Sequence, residues 1–147
     1  MVLRPEALRE RLLKLEEVIS KLQEIGRLDP AALRMNFREA WGAERGLQVG
    51  AEAIFDIGNH LLSAHFGVSP KDYEDIIVQL AAHSVIDEPL RTRLKGLGGF
   101  RNILVLGYLR VDPDRVADVL SKAPADFSEF AVAVRRWLGQ VTNRQAD

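Results

Sequence analysis

Three groups of residues have the types and spacing to do chemistry. The first is Arg101-Asn102-Ile103-Leu104-Val105-Leu106-Gly107-Tyr108. On a helix, Arg101 and Tyr108 lie seven residues apart and share one face, while Asn102 and Leu106 share the neighbouring one. A guanidinium can clamp a phosphate through its planar fork, or stabilise charge developing on it. Just upstream, Arg91, Arg93 and Lys95 follow Glu88 with no acid among them. The plain alternative is a core helix with a surface arginine and a half-buried tyrosine. The second group is Gln48, Glu52, Asp56, Asn59 and Ser63, a polar stripe at spacings of 4, 4, 3 and 4. Exposed carboxylates at i and i+4 repel weakly; in a cleft they meet cations or take up protons more readily. Such a stripe is either a solvated helix face or the lining of an interhelical groove or dimer cleft. The third group is His60, His65 and His83. No pair has the spacing that puts two metal ligands on one helix face, so packing or surface roles are expected and no metal site.

The elements that must position these groups read as helices. Pro5 opens a segment with Leu8, Leu12, Leu15, Ile19 and Leu22 at alternating 4,3 spacing, closed by Gly26. That is a narrow stripe for packing another helix. Asp29-Pro30 is an N-cap and first-turn proline. The helical pattern then runs to Phe66, with irregularity expected around Gly42 to Gly46. Ser69-Pro70-Lys71-Asp72 resembles a capping box and predicts a helix through about His83. Asp87 and Pro89 predict another, interrupted at Gly96, Gly98 and Gly99. The chain is expected to be helical again from Phe100 to about Arg110. A further helix is expected from Asp112-Pro113 to near Lys122. Asp126-x-x-Glu129 predicts a cap for a last one, with Phe127, Phe130, Val134, Trp137, Leu138 and Val141 on its buried side. All six prolines fit helix starts on this reading. Strand signals are nearly absent. The expected fold class is all-α, an up-and-down helical bundle forming a single domain over residues 1–147.

Composition narrows the function. The net charge of −1 excludes a protein that grips nucleic acid by charge alone, so any such role needs a local site. The chain has no cysteine, which excludes disulfides, thiolate catalysis and cysteine-ligated zinc. No apolar run is long enough to span a membrane. The charged start, without an apolar stretch, does not read as a secretory leader, and a cytoplasmic address is expected.

The segment Arg101 to Tyr108 resembles the signature of the HepT-like toxins of the HEPN superfamily: Arg-Asn, three mostly apolar residues, His, any residue, Tyr. Glu44-Arg45-Gly46-Leu47-Gln48 and Asp56-Ile57-Gly58-Asn59-His60 resemble that family's second helix. Ser69-Pro70 through Asp87 resembles its third, and the likeness spans about residues 5 to 138. The resemblance implies a helical bundle that forms a two-fold homodimer. It implies metal-independent RNA cleavage, with arginine and histidine facing each other across the dimer cleft, and no cofactor. It implies a partner, a small nucleotidyltransferase antitoxin of the MntA type, which can transfer AMP to the motif tyrosine, here Tyr108. Glu52, Asp56 and Asn59 would line the cleft, and Arg101, Asn102 and position 106 would be its catalytic set.

One departure outweighs the matches: the family's histidine position is Leu106. Metal-free RNA cleavage needs a group to take the 2′-hydroxyl proton and return one to the leaving oxygen. Leucine does neither, and a guanidinium holds its proton too tightly to be a good base. Two functions follow: an attenuated or inactive toxin-family ribonuclease, or a non-catalytic dimeric module that engages a nucleotidyltransferase. An RNA-binding regulator that uses Arg101 without cleavage is a third. On this reading Arg101 is an exposed side chain that matters for RNA and not for folding.

Overall fold

The computed structural model describes residues 2–146, with side chains described through residue 144. Seven α-helices make up nearly all of it, and no strand occurs among the described residues. Helix α1 (Pro5–Ile25) buries Leu8, Leu12, Leu15, Val18, Ile19 and Leu22, and its last turn is closed by the Gly26 N–H donating to the Leu22 carbonyl. Helix α2 (Pro30–Met35) is capped by Asp29, whose carboxylate accepts from the Ala32 N–H at 2.7 Å. Helix α3 (Phe37–Leu61) is capped by Asn36 and runs unbroken through Gly42 and Gly46. The expected irregularity therefore falls at Asn36 instead, where the side chain accepts from the Glu39 N–H and starts a new helix. A single wide π-turn over Leu62–Phe66 ends α3, and Gly67 closes it at φ +67°.

Helices α4 (Tyr73–Ala82) and α5 (Glu88–Leu94) are short. The cap of α4 is Asp72, three residues beyond the expected Ser69. Asp72 accepts from the Asp75 N–H, and Asp75 accepts from the Lys71 N–H, a reciprocal box. Asp87 caps α5. Helix α6 (Leu97–Leu106) begins earlier than expected and stops at Gly107, so Tyr108 lies beyond it in a turn.

Helix α7 (Pro113–Ala146) is one element with Pro124 inside it. Its two expected halves are joined, and Asp126 does not cap: it pairs with Arg93 at 3.1 Å. An internal proline costs a helix roughly 3 kcal/mol. Packing offsets that cost here, because Phe127, Phe130, Val134 and Leu138 stay buried only if the helix continues.

Helices α1, α3 and α7 form the frame. Leu22 meets Gly46 and Arg11 meets Asp56, so α1 runs antiparallel to α3. Arg135 donates two hydrogen bonds to Glu16 and ties α7 to α1. Those bonds hold the Glu16 carboxyl below the usual carboxylate range. The pair adds stability above pH 4.5 that is lost as pH falls through the lowered native value.

Two glycines set how closely α4 approaches its neighbours. A Cβ on Gly58 of α3 would lie 2.6 Å from Ile76 Cγ2, and one on Gly98 of α6 would lie 2.7 Å from Tyr73 Cβ. Gly99 has open space at the same point. Gly98→Ala should therefore lower the melting temperature, by overpacking worth about 1–3 kcal/mol against a smaller gain in helix propensity. Gly99→Ala should be neutral or stabilising. Thermal denaturation of the two variants side by side checks this; equal effects would contradict the close approach.

Candidate functional site

Helix α6 is ten residues long, too short to stand alone in water. Its start is held by Glu74 of α4, whose carboxylate accepts from the N–H of Gly96 at 2.9 Å and of Gly98 at 3.4 Å. Leu97 and Phe100 anchor its inner face in the core. This mounting turns Arg101 inward, toward α3 and α4.

The Arg101 side chain is only 20% exposed. Its Nη2 donates to Glu52 Oε1 at 3.2 Å, and its Nη1 donates to Asn102 Oδ1 at 3.2 Å. The guanidinium carbon sits 5.2 Å from the centre of the Tyr73 ring, which in turn stacks on Phe55 at 4.6 Å. Gln48 donates to the same Glu52 oxygen at 3.2 Å. Arg101 Nε is buried with no hydrogen-bond partner. The result is a guanidinium fixed by a carboxylate, an amide and an aromatic face. This corrects the expectation of an exposed arginine.

The polar stripe divides. Gln48 and Glu52 meet Arg101, but Asp56 turns to α1 and pairs with Arg11 at 2.7 Å. Asn59 is exposed, and Ser63 bonds the Val68 carbonyl across the π-turn. Of the three residues expected to line a cleft, Glu52 alone touches Arg101.

Leu106 and Tyr108 do not join this cluster. Leu106 is 73% exposed and Tyr108 is 78% exposed. With Asn102, Ile103, Leu109 and Arg110 they line a shallow surface hollow. Tyr108 shares no helix face with Arg101, because Gly107 ends α6 with its N–H on the Ile103 carbonyl.

His65 and His83 pack edge-on or tilted against Phe66, and His65 also against Trp137. No group of three His, Asp or Glu side chains among the described residues is arranged to hold a metal ion. Sequence reasoning missed Tyr73 and Glu74. The cluster Gly96, Gly98 and Gly99 was the available signal, since closely spaced glycines mark backbone approached by a neighbour.

The family described as "Ribonuclease HepT-like" matches residues 15–134, most of the chain. The chain belongs to the HepT-like ribonuclease family. Over 89 residues it is 33% identical to the mRNA nuclease HepT of Shewanella oneidensis, covering 60% of this chain and 67% of that protein. Among solved structures it resembles a tri-AMPylated Shewanella oneidensis HEPN toxin in complex with its MNT antitoxin. That likeness has a TM-score of 0.77 at 26% identity, covering 88% of this chain and 96% of the other. The cytosolic protein YutE of Bacillus subtilis shares the fold, with a TM-score of 0.81 at 22% identity over 95% of this chain and 94% of that one. The all-α bundle expected from the helical periodicity, and the HEPN architecture implied by the resemblance, are thus observed. No described helix is long and apolar enough to cross a membrane.

In this HepT-like chain the Arg101 cluster joins α3, α4 and α6. Arg101→Ala should therefore cost about 1–2 kcal/mol, the low end for a hydrogen bond to a charged group because Glu52 is partly exposed. Glu52→Ala should cost a similar amount, and the double variant less than the sum, because both changes remove one contact. Chemical denaturation of the four proteins measures this. Full additivity would show that the pair is not energetically coupled.

Proposed function

We propose that this chain is the toxin-side component of a HepT-type toxin–antitoxin pair. Its site keeps the RNA-facing arginine but lacks the proton-transferring histidine. The observation that carries this reading is the fixed Arg101–Asn102–Glu52 cluster beside an exposed Leu106 and Tyr108, in a chain matching the family over residues 15–134. In metal-independent cleavage the 2′-oxygen attacks the adjacent phosphorus and the bond to the 5′-oxygen breaks. One proton leaves the 2′-hydroxyl and another reaches the departing oxygen. Arg101 is suited to stabilise the negative charge that builds on the non-bridging phosphate oxygens, with Glu52 and Asn102 holding its fork in place. Nothing at Leu106 moves a proton, so the chain is an attenuated or inactive nuclease. Domain 1–147 acts as one unit, as a homodimer in the cytoplasm, with RNA and an MntA-type nucleotidyltransferase as partners.

A second reading, a non-catalytic module that dimerises and engages the nucleotidyltransferase, draws on the same surface. Ile103, Leu106, Tyr108 and Leu109 are all exposed around one end of α6. Apolar residues gathered in this way suit a protein contact.

Leu106→His should raise metal-free RNA cleavage by about 10²–10⁴-fold, the usual contribution of a placed proton-transfer group. At an exposed position the change should leave stability within about 0.5 kcal/mol. A folded, dimeric histidine variant that leaves RNA intact would favour the binding module. Tyr108 should accept AMP when the chain is incubated with its nucleotidyltransferase and ATP. The phenol oxygen attacks the α-phosphorus and pyrophosphate leaves. Intact-mass analysis should show the adduct on the parent chain and not on Tyr108→Phe; an adduct that persists in the variant assigns it elsewhere.

A further inference from the structure

The N-terminal end of α3 carries an exposed aromatic pair that no part of the Arg101 chemistry uses. Trp41 is 68% exposed and Phe37 is 58% exposed, and their rings meet edge-on at 5.3 Å. Exposed tryptophan on this scale is costly to leave in water and marks a contact surface. The helical period places Phe37, Trp41, Gln48 and Glu52 in one narrow stripe on α3. Trp41 and Glu52 are eleven residues apart, so the aromatic pair lies about 16 Å along the helix from the carboxylate that holds Arg101.

Two arginines lie near the pair in sequence. The Arg38 guanidinium lies over the Phe37 ring at 5.5 Å. Neither Arg38 nor Arg45 has an ion-pair partner among the described residues. Glu44 is half-buried beside Trp41, and burial raises its carboxyl above the usual value. Glu39 falls on the opposite side of the helix from Trp41. Val111 and Pro113, which follow the Tyr108 turn, line one hollow with Phe37, Trp41 and Glu44, so this surface runs on from the motif's exit.

We propose that Trp41, with Phe37, Arg38 and Arg45, forms a stacking subsite for single-stranded RNA a few nucleotides away from the phosphate held at Arg101. Flat aromatic rings and arginine planes stack unpaired bases without reading their edges, and unpaired arginines attract the backbone. A net charge of −1 gives the chain no general hold on RNA, so a local platform in line with Arg101 supplies what overall charge does not. This inference rests on the RNA-facing reading of Arg101 and adds a second contact to it.

The test uses the full chain and a short labelled single-stranded RNA. The only other tryptophan, Trp137, is 9% exposed, so Trp41 dominates any quenching by added RNA. RNA should quench the intrinsic fluorescence of the parent chain. Trp41→Ala should lose the quenching and bind about 5- to 150-fold more weakly, the measured range for one stacked base. Trp41→Phe should keep most of the affinity, and both variants should keep the parent's circular dichroism. If Trp41→Ala binds RNA as tightly as the parent while Arg101→Ala does not, the stacking subsite is wrong and the Arg101 reading stands. If the parent binds no RNA, both fall. If Trp41→Ala keeps its RNA affinity but loses dimerisation or capture of the nucleotidyltransferase, the face is a protein interface and the proposal is overturned.

Discussion

The site depends on how one short helix is mounted. Alone, α6 would not be stable, and its first-turn N–H groups would lack partners. Glu74 supplies an acceptor for two N–H groups at that start, and its negative charge suits the positive end of the helix. The contact requires the α6 backbone to pass against Tyr73, which Gly98 permits because a Cβ there has no room. From that seat, Phe100 enters the core and Arg101 faces α3. The same seat sends Leu106 and the turn beyond it out to the surface.

Arg101 is therefore both a structural tie and the group with the most chemistry. Its fork is divided between Glu52 and Asn102, and the Tyr73 ring covers one side. A guanidinium held in this way keeps a fixed orientation. On the proposed function, a phosphate would have to displace Glu52 from it. Glu52 thus keeps the arginine in place when no anion is bound, and Gln48 steadies Glu52 in turn. Leu106 is exposed, shares a surface hollow with Asn102, and has no proton to give.

Helix α3 works as the ruler of the molecule. Its inner face packs on α1 and α7, its middle carries Gln48 and Glu52, and its first turns carry the exposed aromatic pair. Because the helix is continuous from Phe37 to Leu61, these features keep a fixed spacing along one side. A break at Gly42 to Gly46 would have uncoupled them.

The amino-acid sequence by itself determined what local physics controls. The apolar stripe of α1, the caps at Asp29 and Asp87 and the polar stripe of α3 each rest on spacing within a few residues, and each could be read directly. The Arg101–Tyr108 motif was legible as a pattern, and so was a leucine where the family pattern has histidine. Tertiary structure decided the rest. Pro124 reads as a helix start, but burial of Phe127 and Phe130 carries α7 through it. Tyr108 reads as a helix-face partner of Arg101, but Gly107 stops the helix first. Glu52 and Asp56 look alike in the stripe, yet one meets Arg101, 49 residues away, and the other Arg11, 45 residues away. Periodicity says which residues share a face. It does not say which distant charge that face will meet, because the answer depends on how separate helices pack.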